Sequence, residues 1–226
     1  MNEKIKDGNY TLYWVIRYNN LEIFKLLMEY ANQHQIILEL NEQNKDGQYP
    51  ILNAVKYNNI EMVKLLIKYA NQHQIILKLN EKSNDENYPL YWVIRYNNLE
   101  IFKLLIYYAN KHQIILELNE RDKNGWYPLL VAISTNNIEI VKLLIVYANQ
   151  HQIILELNEK NIYGVYPLLE AIFKINFEIV KLLIKYALQH QIILEYEKND
   201  NRSNIEIIEL LKNYEMEKDK WIKVNK

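Results

Sequence analysis

The chain has no cysteine among its 226 residues, and it has only four glycines and four prolines. Without cysteine it forms no disulfide, no thiolate nucleophile and no cysteine-ligated zinc site. No apolar run approaches the roughly 18 residues of a membrane span, and the polar N-terminal sequence lacks the apolar core of a secretory signal. Lys and Arg (27) balance Asp and Glu (28) and are interleaved with them. We therefore expect a cytoplasmic protein with neither a nucleic-acid nor a membrane partner.

The rare residues recur at one fixed interval. All five histidines lie 39 residues apart, and the four prolines keep the same interval. The histidines are His34, His73, His112, His151 and His190, and the prolines are Pro50, Pro89, Pro128 and Pro167. The glycines follow it too, with Glu86 in the one vacant position. This periodicity predicts a tandem array in which neighbouring repeats share a core.

The period divides the chain into five repeats and a shortened sixth. The five repeats are residues 2–40, 41–79, 80–118, 119–157 and 158–196. We expect them to form a single array, because one repeat alone buries too little apolar surface to offset its conformational entropy. Residues 197–226 are expected to form a degenerate C-terminal capping helix and a charged tail.

Within each repeat the pattern predicts two helices and a connector. Pro50 stands where a helix tolerates proline, at its first position. The pair Asn58-Asn59 predicts a left-handed turn followed by the cap of a second helix with a broad apolar stripe. Two ends are open for this helix, at Asn71 or near His73. The apolar run Ile75-Ile76-Leu77 predicts an extended, buried connector to the next repeat, with a longer second helix as the alternative.

The segment NGWYPLLVAISTNNIEIVKLL, from Asn124 to Leu144, resembles the ankyrin-repeat family. The usual unit of that family has about 33 residues, a β-turn plus two helices with a T-P-L-H-x-A signature. The resemblance covers residues 2–196 and implies an all-α solenoid of helix-turn-helix repeats joined by hairpin loops. Tyrosine replaces the signature threonine at Tyr49, Tyr88, Tyr127 and Tyr166. We therefore expect the family's hydrogen bonds at this position to be absent, and the hairpin to be held more by packing.

Residues that repeat in register are interpreted as structural. Helices of successive repeats pack about 8 to 10 Å apart, whereas zinc needs each ligand nitrogen at about 2.0 to 2.1 Å, so we predict no metal site on the histidines. The repeated tyrosines are interpreted as packing residues with solvated hydroxyls. No phosphate-binding loop, HExxH pair or Ser/His/Asp set stands outside the register. We predict that the chain is not an enzyme and has no cofactor.

Function is expected where the repeats differ. In the family that the chain resembles, partners are bound by hairpin tips and by the exposed end of the first helix of each repeat. The resemblance places Lys123, Trp126, Ile162, Tyr163 and Val165 at tips, and Tyr57, Arg95, Tyr96, Lys174 and Ile175 at helix ends. Exposed Trp, Ile and Tyr together are typical of a binding hot spot. Trp14 and Trp92 are weaker candidates, because Leu12–Leu27 is identical to Leu90–Leu105.

These residues predict a non-catalytic, monomeric module that binds a protein partner through the family's concave face and hairpin tips. The fourth and fifth hairpins would be its centre. The alternative is a structural spacer or scaffold segment of a longer repeat protein, with no discrete partner. It is favoured by the abrupt start of the register at Asn2.

Overall fold

The computed structural model describes residues 10–196 and 205–224. This part of the chain contains eleven helices and no strand. The chain divides into two compact units, Met1–Glu117 and Leu118–Lys226. The first unit contains α1 (Thr11–Arg17), α2 (Leu21–Gln33), α3 (Pro50–Lys56), α4 (Ile60–Gln72), α5 (Pro89–Arg95) and α6 (Leu99–Lys111). The second contains α7 (Pro128–Ser134), α8 (Ile138–Gln150), α9 (Pro167–Phe173), α10 (Phe177–Gln189) and α11 (Ile205–Val224).

The helix boundaries follow the predicted signals. The helices α3, α5, α7 and α9 each begin at the proline of their repeat. The turns between paired helices have a left-handed residue, with φ between 50° and 57°, at Asn19, Asn58, Asn97, Asn136 and Ile175. The next asparagine caps the second helix through its side chain at Asn20, Asn98, Asn137 and Asn176, but Asn59 makes no such bond. The predicted turn is confirmed, and the predicted cap is wrong for Asn59 alone.

The second helices also contribute to the core, and α4, for example, contacts α3 of its own repeat and α6 of the next. In α4 the buried residues are Met62, Val63, Leu66, Tyr69 and Ala70. The helix ends with His73 as its C-cap, and Gln74 follows in the left-handed region with a φ of 56°. The predicted end near His73 is confirmed.

The connector after the second helix is extended but only half buried. Leu77 and Leu79 are buried, whereas the side chain of Ile76 is 52% exposed. The predicted extended connector is confirmed, but its predicted burial is wrong for Ile76, because successive side chains of an extended chain point to opposite sides. The equivalent isoleucines are exposed by similar fractions at Ile37, Ile115, Ile154 and Ile193.

Side chains of the neighbouring repeats bind the backbone of each connector. The Asn41 amide donates to the Ile76 carbonyl (2.7 Å) and accepts from the Lys78 N–H (3.1 Å). The Tyr108 hydroxyl accepts from the Leu77 N–H (3.0 Å) and donates to the Ile75 carbonyl (3.1 Å). Asn119 and Tyr186 make the same contacts with the connector of the fourth repeat, in the second unit. The connector is thereby held without strand pairing, because side chains satisfy its backbone groups.

The tyrosines that replace the signature threonine also bind backbone. The hydroxyl of Tyr49 donates to the Glu81 carbonyl in the next repeat at 2.7 Å. Tyr10 and Tyr127 bond their own next repeats in the same way, at 2.8 and 3.0 Å. The prediction that the hydroxyls are solvated is therefore wrong for these three tyrosines. The longer tyrosine side chain reaches a carbonyl that lies outside its own repeat.

The last helix makes the contacts of a second repeat helix. The Tyr214 hydroxyl in α11 accepts from the Leu194 N–H at 2.8 Å, and Ile207 and Leu211 are buried. This helix continues to Val224, so residues interpreted as a charged tail are helical as far as that residue. The predicted start of the array at Asn2 and the residues 197–204 lie outside the described residues.

Candidate functional site

Three of the four complete hairpin tips in the described residues are turns closed by one side chain, that of Asn44, Asp122 or Asn161. At the first complete tip, the Asn44 carboxamide oxygen accepts from the N–H groups of Asp46 (3.0 Å) and Gln48 (2.8 Å). Gly47 completes the turn with a φ of 71°, and its N–H donates to the Asn44 carbonyl. Asn161 closes the last tip in the same way. The turn is therefore held from within, and the two residues after the closing residue are exposed.

Neighbouring tips bond to each other through backbone. The Asn84 N–H donates to the Asp46 carbonyl at 3.0 Å, and its carboxamide donates to the Lys45 carbonyl at 2.7 Å. A Cβ at Gly47 would lie 2.9 Å from the backbone of Ser83, so this contact leaves no room for a side chain. In the second unit, the Ile162 N–H donates to the Asn124 carbonyl at 3.1 Å.

The second unit presents apolar side chains at its last tip. Ile162 and Tyr163 are 65% and 67% exposed, and we call these two residues the apolar tip. Trp126 and Val165 are half-buried, although both were expected to be exposed. The reason is their place on the stem of the hairpin, where their carbonyls accept from the N–H groups of Asp122 and Asn161. Lys123 is exposed, as expected.

The end of α9 adds two exposed apolar residues that lie at different positions in the repeat. Phe173 is 61% exposed and is in register with Ser134, whereas Ile175 is 54% exposed and lies in the turn that follows. Assigning Lys174 and Ile175 to the helix end was wrong by one residue. Phe173 was therefore missed, although a spacing of 39 residues from Ser134 identifies it.

The first unit presents a different surface at its helix ends. Tyr18, Tyr57 and Tyr96 follow α1, α3 and α5 and are 72%, 37% and 45% exposed. Partial burial raises the pKa of Tyr57, with further contributions from Tyr13 and Tyr96, while Arg17 acts in the opposite direction. The helices α1, α3 and α5 pack in succession, so their ends lie side by side on one surface of the unit.

Tryptophan and cationic side chains complete this surface. Trp14 stacks on Tyr18 with ring centroids 5.9 Å apart, and Trp92 stacks on Tyr96 at 5.5 Å. The Arg17 guanidinium lies 5.3 Å from the centroid of Trp14, and the Lys56 ammonium lies 5.7 Å from that of Trp92. We define the aromatic–cationic surface as Trp14, Arg17, Tyr18, Lys56, Tyr57, Trp92, Arg95 and Tyr96. Trp14 and Trp92, the weaker candidates from sequence, are part of it.

Three histidines, His73, His112 and His190, are hydrogen-bonded to the preceding repeat. The ring of His73 packs on Tyr69 with centroids 4.1 Å apart, and its Nε2 is hydrogen-bonded to Asn32 Oδ1 at 2.9 Å. His112 and His190 make the equivalent bonds to Asn71 and Asn149. Within the described residues, no group of three or more metal-ligating side chains is found. Packing and inter-repeat bonding account for the recurrence of histidine.

Comparison with known families agrees with the helical pairs and hairpin tips. A model of ankyrin repeats, in three copies, matches residues 12–115 and 110–195. The chain belongs to the ankyrin-repeat family. No curated protein matches the sequence. Ankyrin repeats are generally protein–protein interaction modules, and the predicted family and fold class are confirmed.

These ankyrin repeats carry a connector that the 33-residue unit of the family lacks. The Asn41 and Tyr108 contacts show how that connector is accommodated. Among the helices of residues 10–196 and 205–224, none is both long and apolar enough to cross a membrane. The candidate binding residues therefore fall into two sets, the apolar tip with Phe173 and Ile175, and the aromatic–cationic surface.

Proposed function

We propose that this chain is a non-catalytic, monomeric cytoplasmic module that binds a protein partner through exposed residues that break the repeat register. The apolar tip carries the proposal. Ile162 and Tyr163 occupy positions that the other complete tips fill with polar residues, which are Lys45 and Asp46, Asn84 and Asp85, and Lys123 and Asn124. The partner would be bound by tips and helix ends, the positions that ankyrin repeats generally use.

Folding does not require apolar residues at this tip. The first tip forms the same turn, closed by Asn44 in place of Asn161, with Lys45 and Asp46 at the exposed positions. Fully burying one Ile or Tyr side chain stabilises a complex by about 1.5–3 kcal/mol. Ile162 and Tyr163 are about two-thirds exposed, so a partner that buries them gains most of this free energy.

The conformation of Ile175 supports a binding role for the second unit. Ile175 has a φ of 52°, a region that disfavours β-branched side chains, while every equivalent position has asparagine. Its side chain is nevertheless 54% exposed, so packing does not explain the choice of isoleucine. Strained residues of this kind are concentrated at functional sites.

The spacer alternative is less well supported. A spacer has no use for the exposed apolar residues Ile162, Tyr163 and Phe173.

A photo-crosslinking experiment tests the proposal. A benzophenone amino acid is placed at Tyr163 in the full chain, with Asp46, the equivalent exposed residue of the first tip, as the matched position. We expect a discrete protein adduct from Tyr163 and none from Asp46. The variant Ile162→Lys with Tyr163→Asp, which reproduces the first tip, should weaken binding of the adduct partner at least tenfold at unchanged stability. Equal adducts at both positions, or unchanged affinity, would refute the proposal.

A further inference from the structure

We propose that the aromatic–cationic surface of the first unit binds an extended acidic peptide segment that has an acidic residue at every third position. This inference rests on the proposed function, because it specifies the chemistry of a protein partner. It concerns a surface other than the apolar tip.

The three cations of this surface have no acidic partner among the described residues. Arg17, Lys56 and Arg95 end α1, α3 and α5, and none forms an ion pair in the described part of the chain. Lys64 in the same unit contrasts with them, because it pairs with Glu61 at 2.9 Å and with Glu100 at 2.8 Å. The charges at the helix ends are therefore available to an anionic partner.

The aromatic side chains hold these cations in place. The Arg17 guanidinium lies over the indole of Trp14 and donates to the Tyr13 hydroxyl at 3.4 Å. The Lys56 ammonium reaches across to Trp92 of the next repeat. Stacked and partly ordered cations lose less side-chain entropy on binding. Trp, Tyr and Arg are also the residue types that dominate binding hot spots.

The spacing of the helices predicts the form of the peptide. The helices α1, α3 and α5 pack in succession, and packed helices lie about 8 to 10 Å apart. A polyproline II segment rises about 3.1 Å per residue with three residues per turn, so every third side chain lies on one side at intervals of about 9 Å. Acidic residues at positions i, i+3 and i+6 would therefore face Arg17, Lys56 and Arg95 in turn. Proline at the intervening positions suits the exposed tyrosine rings.

Helix capping alone does not account for the surface. A cation at a helix C-terminus is favoured by the helix dipole, which explains Arg17 and Arg95 individually. However, the equivalent helices α7 and α9 are also seven residues long, and they end in Ser134 and Phe173 instead of a cation. The repeat therefore folds without a cation at this position, and the dipole does not explain an exposed tyrosine beside each one.

A peptide fits this surface better than a single-stranded nucleic acid does. The exposed tips of the same unit carry the carboxylates of Asp46 and Glu86. A continuous polyanion needs a positively charged groove along its backbone, and three separated cations do not provide one. A peptide places its carboxylates at intervals and leaves the intervening positions neutral.

Fluorescence anisotropy with the full chain tests the inference. The probe is a labelled synthetic peptide, (Glu-Pro-Pro)4, compared with a peptide of the same composition whose four glutamates are contiguous, and with an oligothymidylate of 12 nucleotides. We expect the spaced peptide to bind at least tenfold more tightly than the contiguous peptide, with an affinity that falls as salt concentration rises. Tighter binding of the oligothymidylate would assign the surface to nucleic acid and overturn the proposal.

Charge-matched variants locate the site. Arg17→Gln with Arg95→Gln should weaken binding of the spaced peptide at least tenfold, because both cations contact it directly. Lys25→Gln with Lys103→Gln removes the same charge from exposed positions of α2 and α6 and should change affinity less than twofold. Circular dichroism verifies that each variant is folded. Equal losses in both pairs, or no binding of the spaced peptide, would overturn the inference, whereas the proposed function is decided independently by the crosslink from Tyr163.

Discussion

The Tyr108 hydroxyl holds the connector of the preceding repeat, and its removal tests how the extended repeats are stabilised. In Tyr108→Phe the ring stays and only the hydroxyl is lost. That hydroxyl accepts from the Leu77 N–H at 3.0 Å and donates to the Ile75 carbonyl at 3.1 Å. Leu77 is 1% exposed, so its N–H has no access to water as a replacement acceptor. We predict a destabilised chain with a locally released connector.

The magnitude follows from the cost of a buried unpaired donor. Leaving one buried N–H without an acceptor costs about 1–3 kcal/mol. Ile75 is half-buried, so its carbonyl regains part of its bonding from water and contributes less. We expect the free energy of unfolding to fall by about 2 kcal/mol in total, equivalent to a Tm lower by roughly 4–8 °C for a chain of this length.

The assay is urea unfolding followed by circular dichroism, with amide hydrogen exchange at Leu77 as a local measurement. Tyr107→Phe is the matched control, because Tyr107 is the adjacent residue, is 68% exposed and makes no hydrogen bond within the described residues. The control should change stability by less than about 0.5 kcal/mol. Hydrogen exchange is included because repeat arrays can unfold without full cooperativity.

The result that refutes this reasoning is specific. If Tyr108→Phe and Tyr107→Phe have the same stability, and the Leu77 amide keeps its protection, the connector does not depend on the hydroxyl. The connector would then be held by the burial of Leu77 and Leu79 alone.

Three further substitutions or conditions test other parts of the structure. Ile175→Asn, which restores the residue found at every equivalent turn, should stabilise the chain by about 1 kcal/mol in thermal unfolding, and a lower Tm would contradict the assigned strain. Gly47→Ala should lower the free energy of unfolding, measured by chemical denaturation, more than Gly164→Ala does. Both glycines have a positive φ, but only at Gly47 would a Cβ lie 2.9 Å from the backbone of the next tip. Equal losses in the two variants would exclude the close contact between tips. Burial raises the pKa of Tyr49 and Tyr127, with the nearby Glu81 and Glu156 raising it further, so an unfolded chain releases these protons near pH 10 while the folded chain keeps them. The contribution of these tyrosines to the free energy of unfolding is therefore fully present below about pH 10, and it falls above that pH by up to about 1.4 kcal/mol per pH unit for each tyrosine. Urea unfolding at several pH values above 10 measures this loss. A constant free energy of unfolding would contradict the burial of the two hydroxyls.

The helix boundaries could be predicted because their signals are local. Pro50 fixes a helix start through its own ring, and Asn58 permits a left-handed turn through its own side chain. Both properties act within a few residues, so a single repeat contains the whole signal. The repeat period then transfers each boundary along the chain.

The inter-repeat bonds could not be predicted, because their partners lie in different repeats. Tyr49 bonds a carbonyl 32 residues away, and nothing in its own repeat indicates which backbone group it reaches. The exposure of Ile76 and the partial burial of Trp126 similarly depend on the direction of the local backbone. A hydrophobicity pattern assigns such residues to the core or to the surface, but it does not contain the direction of the backbone at each residue. Phe173 differs from these, because its position 39 residues after Ser134 is sufficient to place it at the end of the helix.

The contacts distinguish the residues that stabilise the array from those that we propose bind a partner. Residues that keep the register, such as His73, Tyr108 and Asn41, bond the neighbouring repeat, so a change at any of them breaks a contact between repeats. The exposed residues that break the register, Ile162 and Tyr163, lie within a turn that Asn161 closes through backbone N–H groups, without their side chains. Replacing them with the residues of the first tip should therefore leave the free energy of unfolding within about 0.5 kcal/mol of its original value, whatever happens to binding. A loss of stability as large as that of Tyr108→Phe would show instead that the apolar tip belongs to the core.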